Sequence, residues 1–385
     1  REFLQPLCFR YFSLADVQKE GFKFVSLSDS NPNNIEYYTD DQILIRDVID
    51  WTNKKETFRQ IILRATPNEV EGEIKVFNVT ENDAKSSNYN TIKTAKNIRN
   101  KKMKSCADLN VVISHFNRVA LSSLHFLDCS HIEEKPLEML VLGDPIGLLA
   151  SFAKKIYRKL VNISVVNEVC DKYNKLGSEY FGLDYEQLHF LQQSIGKYIQ
   201  SKADHNKSII NLREKESKES KDNQENKDSK EGKESTETKK DHKKKLIEYD
   251  LIIIQDSNTI KGENVSPNPK FISKSGLNDL KTMLSKTGVI LFNLVCSSTE
   301  KLNTQLSIIE DCFEVVYTVE NSEDLQKIVI CCNNNDQKGK YLFTNYFVKN
   351  NEIFKNQSDI YLLGKDYERI ISKLVFRRNQ KYLSN

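Results

Sequence analysis

Residues 249–295, YDLIIIQDSNTIKGENVSPNPKFISKSGLNDLKTMLSKTGVILFNLV, constrain the fold more than any other part of the chain. Leu251 to Ile254 is a run too short and too β-branched for a helix, and it ends on Gln255-Asp256-Ser257. Leu277, Leu280 and Leu284 recur at helical spacing, so the pattern predicts a helix from about Lys270 to Lys286, stopped by Gly288. Val289 to Val295 then reads as a second buried strand. Strand, crossover helix and strand make a parallel pair, and ligands of open parallel sheets lie beyond the carboxyl ends of the strands. Asp256 stands at such an end.

The same rhythm extends backwards and forwards. Helical periodicity over Val111 to Leu127 precedes an apolar run at Leu137 to Leu142, and Gly147 to Leu160 reads as the next helix. Ile163 to Asn167 is a second strand, Asp171 to Tyr180 a helix, Leu188 to Leu191 a third strand, and a helix follows from about Ser194. Beyond the 249–295 unit come a helix near Lys301 to Asp311 and two late strands, Glu314 to Val319 and Lys327 to Cys332. Seven strands alternating with helices predict an α/β fold with a doubly wound, Rossmann-like sheet. Ahead of it, β-prone runs at Phe22 to Leu27, Gln42 to Ile49, Phe58 to Ala65 and Gly72 to Val79, separated by turn-forming clusters, predict hairpins. The expected organisation is a β-rich subdomain over 1–81, a polar basic linker over 82–109 and the α/β domain over 110–385.

One segment does not belong to a core by composition. Residues 202–245 include REKESKESKDNQENKDSKEGKESTETKKDHKKK, nearly devoid of apolar side chains, and are expected to be a disordered insertion. Setting it aside, 38% hydrophobic content over 385 residues supports a sizeable core. A net charge of +3 gives little support to nucleic-acid binding. The eight cysteines form no CxxC pair and no metal-ligand spacing with histidine, so reduced thiols in a cytoplasmic protein are expected, with no metal. No apolar run reaches the roughly 20 residues needed to span a bilayer.

Three positions carry candidate chemistry. Gly143-Asp144-Pro145-Ile146-Gly147 follows the Leu137 strand, where a tight glycine turn can bring backbone N–H groups close to a ligand. With only two glycines, and with Pro145 lacking a donor, an ordinary strand-to-helix turn accounts for it equally well. Glu168 ends the next strand, where a carboxylate can accept both hydroxyls of a ribose or simply face solvent. Asp256 can address a ligand or cap the turn that follows it.

Taken together, the segments DQILIRDVIDWTNKKETFRQIILRATPNEVEGEIKVF, VVISHFNRVALSSLHFL, EMLVLGDPIGLLASFAKKIY, ISVVNEVCDKYNKLGSEYFGL, YDLIIIQDSN, GVILFNLVCSS and VVYTVENSEDLQKIVICC resemble the spermidine-synthase-like methyltransferases. Within that class the resemblance is to the C-terminal half of the methyltransferase-like 13 proteins, which methylate translation elongation factor 1-alpha on a lysine and on its N-terminus. It implies a β-hairpin subdomain on a sheet that binds S-adenosylmethionine. Gly143, Asp144, Gly147, Glu168, Ser194 and Gln255 would meet the cofactor, Asp256 would act on the substrate amine, and Ser257 and Asn258 would line its approach. The implied partner is elongation factor 1-alpha, with neither nucleic acid nor membrane. Polyamine synthases of this fold carry a second acid three residues after the first, and Thr259 stands there. Aminopropyl transfer is therefore the lesser expectation, and the alternative from another class is a non-catalytic interaction domain.

Overall fold

The computed structural model describes residues 35–49, 56–64, 70–80, 82, 92, 103–168, 171–225, 245–256, 258–260, 263–319, 326–332, 349–350, 352–353 and 374–377. They form two main layers. The first is an antiparallel sheet of β1 (Ile35–Thr39), β2 (Ile43–Ile49), β3 (Thr57–Leu63), β4 (Gly72–Thr80) and β5 (Met103–Asp108), paired in sequence order. The expected run at Phe22 to Leu27 lies outside the described residues.

β5 falls inside the stretch read as a linker. Its sequence, MKSCAD, has too few apolar residues to announce a strand, but it pairs along β4 from Lys75↔Asp108 to Thr80↔Met103. The ladder comes from its neighbour, which local propensity does not report.

The second layer is the α/β domain. In chain order it runs α1 (His115–Ser122), β6 (Leu137–Leu142), α2 (Leu148–Tyr157), β7 (Val161–Asn167), α3 (Asp171–Phe181), β8 (His189–Gln192), α4 (Ile195–Glu225) and β9 (Tyr249–Ile254). A two-stranded ribbon, β10 (Asn258–Ile260) and β11 (Glu263–Val265), leads to α5 (Pro269–Ile272), α6 (Lys274–Thr282) and β12 (Leu284–Val295). α7 (Thr299–Cys312), β13 (Val315–Val319), β14 (Gln326–Cys332) and β15 (Leu374–Arg377) complete it. The sheet order is β15-β13-β14-β12-β9-β6-β7-β8, with the five strands from β12 to β8 parallel and β14 antiparallel to β12. All seven strands expected from sequence are present, and β15 adds an eighth at the edge.

The central strands are largely apolar toward their carboxyl ends because both faces are covered there. Met139 and Val141 of β6 face a cluster with Leu149, Phe152 and Phe181, whereas Leu140 and Leu142 face Ile199, Leu277 and Ile309. The first cluster also takes in Ile43, Ile45, Ile61 and Ile74, so the five-stranded sheet packs against the α2–α3 side. Arg59 reinforces that seam. Its side chain is fully buried, with Nε and Nη2 donating to Asp47 at 2.8 and 3.1 Å and Nη1 donating to the Tyr180 carbonyl of α3 at 2.9 Å. Removing either member of such a buried pair leaves an unpaired charge, which costs far more than the pair contributes.

Two expectations are corrected. The segment from residue 202 is not disordered at its start: α4 continues to Glu225, with Ala203, Asn206 and Ile209 buried. Asn206 donates to the carbonyls of Ile247 and Thr282 at 2.6 and 2.8 Å and accepts from the Ile247 N–H at 2.9 Å, which pins the chain ahead of β9. Composition missed this because one buried amide and two small apolar contacts hold the first turns, and opposite charges at helical spacing, such as Arg213 and Glu216, support the turns that follow. The helix expected through Lys286 ends instead at Thr282, and β12 starts at Leu284 with its register to β9 interrupted before Val289. Gly288 lies inside that irregular strand rather than at a helix end. A Cβ there would come within 2.9 Å of the Tyr249 carbonyl oxygen. Among the described residues no helix is long and apolar enough to cross a membrane.

Candidate functional site

The sheet changes winding direction between β6 and β9, which places a crevice at their carboxyl ends. Leu142 pairs with Val166 on one side and Ile254 on the other, so Gly143, Asn167 and Gln255 stand level across three strand ends. Glu168 and Asp256 lie one residue further out. The sequence candidates therefore do converge on one edge of the sheet.

The turn after β6 is closed from within. Gly143 has φ +88° and donates its N–H to the Val166 carbonyl at 3.1 Å. A Cβ on Gly143 would lie 2.8 Å from Asp256 Cα and 2.9 Å from the Asp256 nitrogen, so glycine is required by the neighbouring strand end. Gly147, at φ +69°, is required in the same way, because a Cβ there would lie 2.5 Å from Phe190 Cζ. Tyr185 packs edge-on against Phe190 and donates its hydroxyl to the Ile146 carbonyl at 2.7 Å. Every residue from Val141 to Ala150 is buried.

Asp144 corrects a sequence expectation. Its carboxyl turns inward and accepts the N–H groups of Leu148 at 3.0 Å and Ala150 at 3.1 Å, closing the first turn of α2. Burial pushes its carboxyl up to about 6, against the N–H groups of Ala150, Leu148, Leu149 and Gly147, which draw it down. A side chain so placed caps α2 and shapes the turn.

The other candidates stand differently. Glu168 is exposed, with no side-chain partner among the described residues. Ser194 is half-buried, and its carbonyl accepts the Tyr198 N–H at 2.9 Å as α4 begins. Gln255 donates its backbone N–H to Leu142 at 2.8 Å, while its Oε1 is buried without a partner among the described residues. Asp256 is half-buried beside it. Ser257 lies outside the described residues, and Asn258 opens the ribbon paired with Val265. The ribbon rejoins the sheet where Ser266 and Val295 exchange backbone hydrogen bonds of 3.1 and 2.8 Å. Among the described residues no group of three or more His, Cys, Asp or Glu could hold a metal ion.

Sequence reasoning passed over Asn167, Tyr185 and Phe190. A polar residue closing the apolar run VNISVVN was the available signal for the first. The two aromatics offered none, since their contacts join segments far apart in the chain.

No protein-family model matches the chain. Over 86 residues it is 29% identical to the eEF1A lysine and N-terminal methyltransferase of Xenopus laevis, a match covering 22% of this chain and 12% of that protein. The chain thus matches only a small part of that relative's length. Among solved structures it is similar to human methyltransferase-like protein 13 in complex with SAH, with 19% identity and TM-score 0.45 over 68% of this chain and 94% of that one. It is also similar to a probable spermidine synthase from Corynebacterium glutamicum, with 11% identity and TM-score 0.45 over 81% and 86% of the two chains.

Proposed function

We propose that this chain is an S-adenosylmethionine-dependent protein methyltransferase acting on an amine, the N-terminus or a lysine of translation elongation factor 1-alpha. The observation that carries the reading is Glu168. It is an exposed carboxylate without a partner among the described residues, one strand over from a positive-φ glycine turn, at the winding reversal of a doubly wound sheet. A carboxylate in that place is suited to accept the two hydroxyls of a ribose. The local identity to the Xenopus laevis enzyme supports the choice of elongation factor as substrate.

The exposed Glu168 carboxylate fits the ribose of the cofactor. At the turn after β6 the two glycines let neighbouring groups approach closely, the Asp256 backbone at Gly143 and the Phe190 ring at Gly147. The cofactor, when bound, supplies an electrophilic methyl group. The chain's own contribution is to hold the ribose at Glu168, to present Asp256 and the orphaned Gln255 Oε1 toward an incoming amine, and to exclude water with the ribbon and the buried turn. In this reading Asp256 orients that amine or holds its proton. Serine, cysteine and metal chemistry are not needed for such a displacement.

The buried turn favours a second reading, a non-catalytic interaction domain, since its glycines and its capping acid are all used internally. Incubation of the protein with labelled S-adenosylmethionine and elongation factor 1-alpha, followed by mass spectrometry, separates the two. Methylated amines on the factor support the enzyme. Their absence, with the wild type still folded, supports the interaction domain.

A further inference from the structure

We infer that Asn167 is a positioning residue, which sets the turn after β6 and the turn after β8 at a fixed distance from Glu168. This rests on the reading that Glu168 meets the cofactor ribose. Asn167 is the last residue of β7 and is 7% exposed. Its Nδ2 donates to the Asp144 carbonyl at 2.7 Å, which also accepts the Gly147 N–H at 3.3 Å, so both lone pairs of that oxygen are engaged. Its own carbonyl accepts the Gln193 N–H at 3.1 Å. One residue earlier, the Val166 carbonyl accepts from Gly143 at 3.1 Å. Two turns that rim the crevice are thus tied to two consecutive residues, and the next residue along is Glu168.

A buried amide is ordinarily explained by its own hydrogen bonds alone. Two features set this one apart. It bridges segments 23 residues apart in the chain, from the strand that ends in the ribose acid to the turn facing it. It also supplies, at the buried end of a strand, a side-chain donor to the Asp144 carbonyl that an apolar residue could not provide. Val or Leu here would leave that carbonyl one bond short, and Asp would set a carboxylate against it. Preorganisation of the strand-end carboxylate is the use that fits both the geometry and the position.

The test is calorimetric titration of S-adenosylhomocysteine into the wild type, Asn167→Ala, Glu168→Gln and the double variant, with thermal melting to confirm folding. Asn167→Ser, which keeps a small donor, replaces Asn167→Ala should the latter fail to fold. Asn167→Ala is expected to weaken binding about tenfold in the wild-type background and about twofold or less beside Glu168→Gln, because its effect passes through that carboxylate. A wild type that binds, with Asn167→Ala equal to it or costing the same in both backgrounds, overturns the positioning role alone. A wild type that does not bind overturns the cofactor reading and this role with it.

Discussion

The turn after β6 and the segment after β9 leave neighbouring strands at the same level, yet they are built in opposite ways. In the first, Gly143, Asp144, Ile146 and Gly147 are buried and each has a backbone or side-chain hydrogen bond that fixes it. In the second, Gln255 and Asp256 are half-buried, the Gln255 N–H donates to the Leu142 carbonyl, its Oε1 is without a partner among the described residues, and the ribbon that follows rejoins the sheet at Ser266. The contrast teaches where the molecule spends stability and where it leaves a polar atom unpaired. Groups left without internal partners are the ones available to a ligand, at a cost to the fold that neighbouring contacts must offset.

Breaking the first region should have the larger effect. Gly143→Ala forces a Cβ against the Asp256 backbone at a positive φ, and a loss of about 2 to 4 kcal/mol in urea unfolding is expected. A loss below about 1 kcal/mol would show that the two strand ends separate easily and that the turn is not fixed as described.

Asp144→Asn sharpens the comparison through pH. The folded carboxyl is raised to about 6, above its unfolded value of 3.8. Wild-type stability from this group is therefore complete below about pH 4 and is lost as pH rises toward 6, where the unfolded chain ionises and the folded one resists. The variant has no such loss. Its stability relative to wild type should climb by about 2 to 3 kcal/mol between pH 4 and pH 6, read from denaturant midpoints in matched buffers. A constant difference would mean that the N–H groups of α2 keep the carboxylate ionised throughout.

The smallest effect belongs to the second region. Gln255→Leu removes an acceptor that has no partner among the described residues, so stability should change by no more than about 0.5 kcal/mol. A loss several times larger would show that the Gln255 side chain is bound into the fold no less firmly than its neighbours across the strand.

The same division explains what could be read from sequence. β6, β7, β9 and β12 are mainly apolar runs that contribute to the clusters on both faces of the sheet, and their pattern announces them. β5 was not legible, because MKSCAD owes its strand to pairing with β4. The extension of α4 was hidden in a charged composition, since it is anchored by polar contacts, the Asn206 amide and the Lys207–Asp279 pair, between distant segments. At the site, Gly143, Glu168 and Asp256 were legible as positions at strand ends. The inward turn of Asp144 was not, because a capping acid and a ligand-facing acid have the same letter and the same place in the chain. Asn167 was signalled only as a polar residue closing its strand, and its long-range hydrogen bond to the Asp144 carbonyl could not be read from the sequence.

The central claim is that Glu168 holds the ribose of an S-adenosyl ligand, and titration of S-adenosylhomocysteine into wild type and Glu168→Gln tests it most directly. Binding by the wild type, weakened by about 1.5 to 3 kcal/mol in the variant with an unchanged melting temperature, is the predicted result. Equal binding by the two proteins, or none by the wild type at millimolar ligand, would contradict it.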